Sequence, residues 1–294
     1  MDPHDPRIAA YRSLKGKALE REGIFIAEGE KVVRSLIDSR HRIESCLISR
    51  ETRSRYKPLV ALMAKRGARV YVESNRSIED IIGFRFHKGI MAVGHCPEKL
   101  KLSEALKEVE PHRAKVRGSL PPDTSAGGIR SPAIFVALDS INDPQNVGLI
   151  ARSARAFGAA ALIVDGSSYD PYYRKAIRVS MGTIFSLPVY YEDDLRKTIL
   201  WLGKKHNTRI VAATPGRGSI DIARAKLSGN ICLVLGNEDK GVSAKILNIA
   251  DVKVRIPISK SVDSLNVASA CAICLYEVEK SQKKVESGPT AIRR

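Results

Sequence analysis

Ala133-Ile-Phe-Val-Ala-Leu-Asp-Ser-Ile-Asn-Asp-Pro-Gln-Asn-Val-Gly-Leu-Ile-Ala-Arg-Ser-Ala-Arg-Ala-Phe-Gly158 is an apolar run, then a polar turn, then an apolar stripe at helical spacing. The run Ala133–Leu138 shows no alternation, as expected of a strand covered on both faces. Val147, Ile150, Ala151, Ala154 and Phe157 follow at steps of three and four, which predicts an amphipathic helix. Strand, loop and helix in succession is the repeating unit of a parallel α/β sheet.

The same pattern recurs to the end of the chain. Strands are predicted at 133–138, 161–165, 188–191, 209–213, 231–235 and 252–257. Helices are predicted at 146–158, 174–185, 193–206, 243–250 and 266–280. In such a sheet, ligands bind beyond the carboxyl ends of the strands. Two further segments stand at strand ends: Leu235-Gly-Asn-Glu-Asp-Lys-Gly-Val-Ser243 and Ile256-Pro-Ile-Ser-Lys-Ser-Val-Asp-Ser-Leu-Asn-Val-Ala-Ser269. With the turn after Leu138 they make three polar loops in one domain, which suggests one composite site.

Toward the N-terminus, residues 1–110 read as a smaller α/β domain. Strands are predicted at 24–27, 43–49, 70–72 and 89–94, and helices at 8–21, 30–40, 57–66 and 76–82. Residues 111–131 are rich in Pro, Gly and Ser and read as a linker. The catalytic-type domain is placed at 132–280 and a polar tail at 281–294.

Composition narrows the function. The 294 residues carry 49 Lys and Arg against 32 Asp and Glu, a net charge of +17. That excess favours a polyanionic partner, with nucleic acid ahead of membrane; a generally basic soluble protein is the plain alternative. No apolar run approaches the ~20 residues of a membrane span, and Met1–Arg7 has no apolar targeting segment, so a cytoplasmic location is expected. Five scattered cysteines do not suggest a disulfide framework. Cys271 and Cys274 sit in an apolar helix and read as packing residues. The six histidines show no metal-ligand spacing.

Arg152 lies off the apolar stripe of its helix, one turn after Gly148, where a ligand could reach its guanidinium. The planar fork of Arg suits phosphate or ribose. Asn146 stands at the helix start as a possible cap; a capped helix with a solvated Arg is the plain alternative. Glu238 at a strand end could accept hydrogen bonds from a sugar, or simply be exposed in a Gly-bounded turn. Ser264 or Asn266 could cap the last helix. The loop at Gly236 is neither a P-loop nor a dinucleotide fingerprint. In the front domain, Arg12, Lys15, Lys17, Arg21, Arg85, His87 and Lys88 with Phe84 and Phe86 suit RNA, with stacked bases and paired phosphates. A solvated helix face with two core phenylalanines is the alternative.

Taken together, Asn146 to Arg152 with Ala156-Phe-Gly158, Leu235 to Ser243, and Ile256 to Asn266 resemble the three motifs of the SpoU/TrmH family of RNA ribose methyltransferases, in the SPOUT class. Gly29-Glu-Lys-Val-Val33 is similar to the substrate-binding domain that often precedes it. The resemblance implies a parallel sheet closed by a deep trefoil knot, behind a smaller α/β RNA-binding domain. It implies S-adenosylmethionine as cofactor, a homodimer packed through the knot region and no membrane partner. By motif, Arg152, Asn146, Glu238, Ser264 and Asn266 fall at catalytic positions, and Thr214, Gly236, Ile256 and Leu265 near the cofactor. Ribosomal RNA is the expected substrate; tRNA, or a non-catalytic RNA-binding scaffold of the same fold, are the alternatives. Two residues depart from the pattern where Gly is usual: Asp239, tolerable if that turn is left-handed, and Lys260.

Overall fold

A computed structural model describes residues 5–12, 23–107 and 132–286. The linker expected at 111–131 and Lys15, Lys17 and Arg21 lie outside the described residues. The contacts divide the chain into two compact units. One joins the described residues of Met1–Glu98 to Pro171–Ser186, and the other joins those of Lys99–Asp170 to Leu187–Arg294. The expected boundary at 110 thus differs from the division by contacts at two places, 99–107 and 171–186.

The front unit contains α1 (Ala9–Arg12), β1 (Ile24–Glu28), α2 (Glu30–Asp38), β2 (Ile43–Ser49), α3 (Lys57–Lys65), β3 (Arg69–Glu73), α4 (Asn75–Ile82) and β4 (Ile90–His95). The sheet order is β1-β4-β2-β3, with β4 antiparallel to both β1 and β2. Helix α4 shows how the sequence sets its ends. Ser74 accepts from the Ser77 N–H at the start, and Gly83 takes the left-handed conformation at the stop, with φ 76°.

Pro171–Ser186 completes this unit's core. It holds the short helix Arg174–Val179 and then a tight turn at Met181 and Gly182, with φ 57° and 81°. One continuous helix over 174–185 is therefore not formed: the left-handed pair breaks it. Phe185 stacks on Phe25 with ring centroids 4.9 Å apart, and Tyr172 and His41 close the cluster at 5.6 Å and 5.5 Å from Phe25. The Phe25 ring lies over Gly94, where a Cβ would fall 2.5 Å from it. Arg174 pairs with Glu28 at 2.7 Å and stacks over Phe84 at 4.8 Å.

In the back unit, α5 (Leu102–Lys107) precedes β5 (Ile134–Asp139), α6 (Pro144–Ala156) and β6 (Ala161–Asp165). The helix within Pro171–Ser186 is α7. There follow β7 (Val189–Glu192), α8 (Leu195–His206), β8 (Arg209–Ala213), β9 (Ile220–Asp221), β10 (Ile231–Gly236), α9 (Ala244–Leu247), β11 (Val252–Arg255) and α10 (Val267–Glu286). The seven strands are all parallel, in the order β7-β6-β5-β10-β8-β11-β9. Strands β5, β6 and β10 are buried along their whole length, which is what their unbroken apolar sequences require. Helix α5, which sequence periodicity did not indicate, seats Leu102 and Ala105 in the same core as Phe135, Ile163 and Val234. Helix α10 runs to Glu286, beyond the expected end at 280. Among the described residues no helix is long and apolar enough to cross a membrane.

The sheet reverses its order between β5 and β10. Sequence neighbours β6 and β7 lie on one side of β5; β10, β8 and β11 lie on the other. A crevice opens at such a switch point, beyond the carboxyl ends of the strands. Here the last paired residues of the two strands are Asp139 and Gly236, directly opposite each other.

Candidate active site

Two of the three polar loops begin at that crevice, and hydrogen bonds join all three. Glu238 accepts from the main-chain N–H groups of Asn142 at 3.0 Å and Asp143 at 3.2 Å, and from the Asn146 side-chain amide at 2.8 Å. Asn146 in turn accepts from the Asn266 amide at 2.9 Å. The oxygen of Asn266 accepts from the Ala268 N–H at 2.9 Å and so caps α10. The direction of this relay is fixed at both ends. A carboxylate only accepts and a backbone N–H only donates, so each asparagine between them can point only one way. Burial would raise the Glu238 carboxyl, but the hydrogen bonds from Asn142, Asn146 and Asp143 outweigh it and hold the group below its ordinary value of 4.5.

Asn146 is therefore not the cap of α6. Asp143 is: its side chain accepts from the Gln145 N–H at 2.9 Å, and Pro144 opens the first turn. Asn146 sits one turn in, 4% exposed, and its side chain turns across to Glu238. Between Asn266 and Ser264, expected alternatives as cap of the last helix, Asn266 takes the role. Ser264 and Leu265 lie just before it, both exposed. Arg152 is exposed and its side chain makes no hydrogen bond among the described residues. It stands about 9 Å along the helix from Asn146. Gly148 is buried, so it and Arg152 do not share the open face that their spacing suggests.

The other three positions expected near a cofactor follow from strand order. Strands β10, β8 and β11 are adjacent and parallel, so their carboxyl ends lie side by side. Gly236 ends β10, while Thr214 and Ile256 directly follow β8 and β11. The Thr214 N–H donates to the Val254 carbonyl at 2.9 Å, and its hydroxyl accepts from the Gly216 N–H at 3.3 Å. Gly236 has no room for a side chain. A Cβ would fall 2.1 Å from the Val242 nitrogen and 2.2 Å from the Gly241 carbonyl carbon. The loop after β10 thus folds back tightly on the bare main chain of Gly236.

Three residues outside the predicted set brace these loops. Asn237 donates to the Ser140 carbonyl at 2.8 Å and accepts from the N–H groups of Asp239 and Lys240. Asp139, 2% exposed, accepts from the Ser243 N–H at 2.7 Å. Asp165 accepts from the N–H groups of Ser140 and Ser168, both at 3.0 Å, and so supports Ser140 at φ 66°. The signal for Asn237 was present, an Asn opening a Gly-Asn-Glu-Asp turn, as was that for the Asp143 cap, an Asp before a proline. Asp165 acts across the sheet and leaves no local trace.

The two departures from the motif pattern look different in place. Asp239 is not in the left-handed region; that conformation falls at Gly241, φ 70°. Asp239 needs no special tolerance. Lys260 is exposed in a turn closed by the Val262 N–H and the Ser259 carbonyl at 3.2 Å. No group of three or more His, Cys, Asp or Glu residues able to hold a metal ion occurs among the described residues.

Comparison with known proteins agrees with this geometry. The family model described as SpoU rRNA Methylase family matches residues 133–276. An uncharacterised tRNA/rRNA methyltransferase of Mycobacterium tuberculosis is 32% identical over 301 residues, covering 98% of this chain and 93% of its own. The 23S rRNA (guanosine-2'-O-)-methyltransferase RlmB of Vibrio cholerae is 26% identical over 82% of this chain and 89% of its own. Among solved structures, the AdoMet-bound rRNA methyltransferase of Sinorhizobium meliloti superposes with a TM-score of 0.74 at 25% identity, over 94% of this chain and 95% of its own.

Proposed function

Because the chain belongs to the SpoU rRNA methylase family, and so is an RNA methyltransferase that uses S-adenosylmethionine, we propose that Arg152, Asn146, Glu238, Ser264 and Asn266 form its catalytic site for a ribose 2'-hydroxyl of ribosomal RNA. The observation that carries this reading is the Glu238–Asn146–Asn266 relay, which ties all three loops together at the sheet's switch point.

A ribose hydroxyl is a weak nucleophile and must lose its proton as it attacks. Arg152 is a cation in ordinary conditions and cannot take that proton, which passes to solvent water. Its fork instead holds the hydroxyl and the neighbouring phosphate in line. Exposure and freedom from other bonds among the described residues suit it to that task. Glu238 is ionised, but its oxygens already serve Asn142, Asp143 and Asn146. It is the post on which the loops hang, not a group that exchanges protons with substrate. Ser264 lies two residues before the capping Asn266 and offers a free hydroxyl beside the relay.

S-adenosylmethionine, when bound, supplies an electrophilic methyl group. The main chain of Gly236, Ile256 and Leu265 and the hydroxyl of Thr214 would hold it. The closed turn at Gly236, which excludes any side chain, fits that role. Residues 1–110 would deliver the RNA, and residues 132–280 would carry the transfer, in the cytoplasm and with a trefoil knot behind the site. A homodimer goes with this reading. Leu149 on α6 and Ile273 and Tyr276 on α10 are 38%, 38% and 53% exposed, an apolar face on two packed helices.

The test is methyl transfer from S-adenosylmethionine to 23S rRNA and tRNA transcripts, with the modified nucleotides mapped as 2'-O-methyl. Methylation of the ribosomal transcript is expected. Modification of tRNA alone would move the substrate. No transfer by a chain that binds the cofactor would leave an RNA-binding scaffold.

A further inference from the structure

Strand β4 is antiparallel to β1 and β2, so the loop that enters β4 meets the loops that leave β1 and β2. Hydrogen bonds lock the three together. The Gly29 N–H donates to the Ile90 carbonyl at 3.0 Å, and the Ser49 N–H and Thr52 hydroxyl donate to the Gly89 carbonyl at 3.1 Å and 2.9 Å. The Tyr56 hydroxyl donates to the Lys88 carbonyl at 3.3 Å. The side chain of Lys88 passes over Gly29, 3.4 Å from where a Cβ would stand.

This end of the front sheet is strongly basic. Residues 29–34, 49–57 and 83–89 carry eight Lys and Arg against two acids, Glu30 and Glu51, and all eight cations are exposed. Glu30 is shared between Arg34 and Arg55 at 3.4 Å and 3.0 Å. Glu51 is turned to the Asn75 N–H. Lys31, Arg53, Lys57 and Lys88 enter no ion pair among the described residues. Free cations on a hydrogen-bonded frame are suited to phosphates.

The aromatic residues decide which nucleic-acid feature is read. A single-strand grip offers ring faces to bases. Here Tyr56 is 5% exposed and lies beneath the Arg55 guanidinium at 5.1 Å. Phe86 is 4% exposed in the core, and Phe84 packs against that core under Arg174. The base-stacking role expected for Phe84 and Phe86 is therefore not available; they hold the unit together.

We propose that these three loops grip the phosphate backbone of double-helical RNA. The proposal rests on RNA being the substrate and adds the form of RNA and the residues that hold it: Lys31, Arg53, Lys57 and Lys88. The experiment compares the full chain with its Arg53→Ala/Lys57→Ala/Lys88→Ala variant. A double-stranded RNA oligomer, poly(U) and phosphatidylserine vesicles serve as probes, over a range of salt. Duplex affinity should fall at least about tenfold, and the slope of log affinity against log salt should flatten by about three. S-adenosylmethionine affinity by calorimetry should not change, and Lys57→Arg/Lys88→Arg should bind duplex as the wild type does. A triple variant with wild-type affinity and slope would place the grip elsewhere while leaving RNA as substrate. A wild-type chain that prefers poly(U) would overturn the double-helical assignment. Loss confined to vesicles would give the surface to a membrane. A wild-type chain that binds neither RNA would overturn this proposal and the substrate reading together.

Discussion

The switch point of the back sheet and the basic end of the front sheet both gather three loops, and they do so by opposite means. At the switch point polar side chains bond to one another, Glu238 to Asn146 and Asn146 to Asn266, and to the main chain of neighbouring loops, Asn237 to the Ser140 carbonyl and Asp139 to the Ser243 N–H. Only Arg152 and Ser264 are left over among the residues placed at the catalytic positions. At the basic end main-chain groups and the Thr52 and Tyr56 hydroxyls make the frame, and six of the eight cations have no ion-pair partner among the described residues. One arrangement fixes positions to fractions of an ångström, as chemistry requires. The other supplies field without fixing geometry, as capture of a polyanion requires.

The comparison breaks hardest at Arg152. If the free group in the fixed region acts on the substrate, Arg152→Ala should cut methyl transfer by about 10²–10³-fold, the size seen when a transition-state donor is lost. Cofactor affinity by calorimetry should hold, and turnover near that of wild type would remove Arg152 from the mechanism. Gly236→Ala attacks the frame itself. The added Cβ must displace the Gly241–Val242 main chain, so a cost of about 1–3 kcal/mol in stability is expected. Loss of S-adenosylmethionine binding should accompany it, read by thermal melting with and without cofactor.

Asn146→Ala removes one of the three donors to Glu238 and the acceptor of the Asn266 amide. It should cost about 1–2 kcal/mol and lower turnover more than it raises the KM for RNA. A double-mutant cycle with Asn266→Ala should show coupling; strict additivity would mean that the relay does not act as a unit. Acid loosens the same relay gradually. Glu238 has a folded-state pKa below its unfolded one, so its contribution to stability is fully present above pH about 4.5 and is lost as pH falls through the lowered value. Thermal melts over the acid range should show this arm in the wild type and lack it in Glu238→Gln. The smallest effect belongs to Asp239→Gly. Since Asp239 is not at positive φ, restoring glycine should change stability by no more than about 0.5 kcal/mol. A large gain would mean that the turn is strained after all.

Much of this was legible in the sequence, for a physical reason. Buried parallel strands must be continuously apolar, so β5, β6, β8 and β10 announce themselves within a residue or so of their true ends. The loops were legible because strand ends are where a sheet exposes polar main chain. What failed was whatever depends on distant partners. Asn146 has the chemistry of a cap, but its bond to Glu238 crosses 92 positions. Phe84 and Phe86 sit among basic residues like bases' partners, yet their neighbours in space are core side chains. The helix expected over 174–185 is longer than α7 because Ser180-Met181-Gly182 carries its stop signal in a glycine alone. That signal is weak until Gly182 is seen against Ser35, where a Cβ would stand 2.8 Å from the serine Cβ.

The placement of Pro171–Ser186 in the front unit also sets a timetable on the ribosome. Domains commonly fold in order as they emerge. This one cannot: the strands and helices of Met1–Glu98 leave the exit tunnel early, but the rings that cover Phe25 are encoded much later, at Tyr172 and Phe185. Until residue 186 has been made, the nascent front unit carries an apolar face for which no cover yet exists. Synthesis of β5 and β6 falls within that interval, so the two halves of this chain must finish folding nearly together.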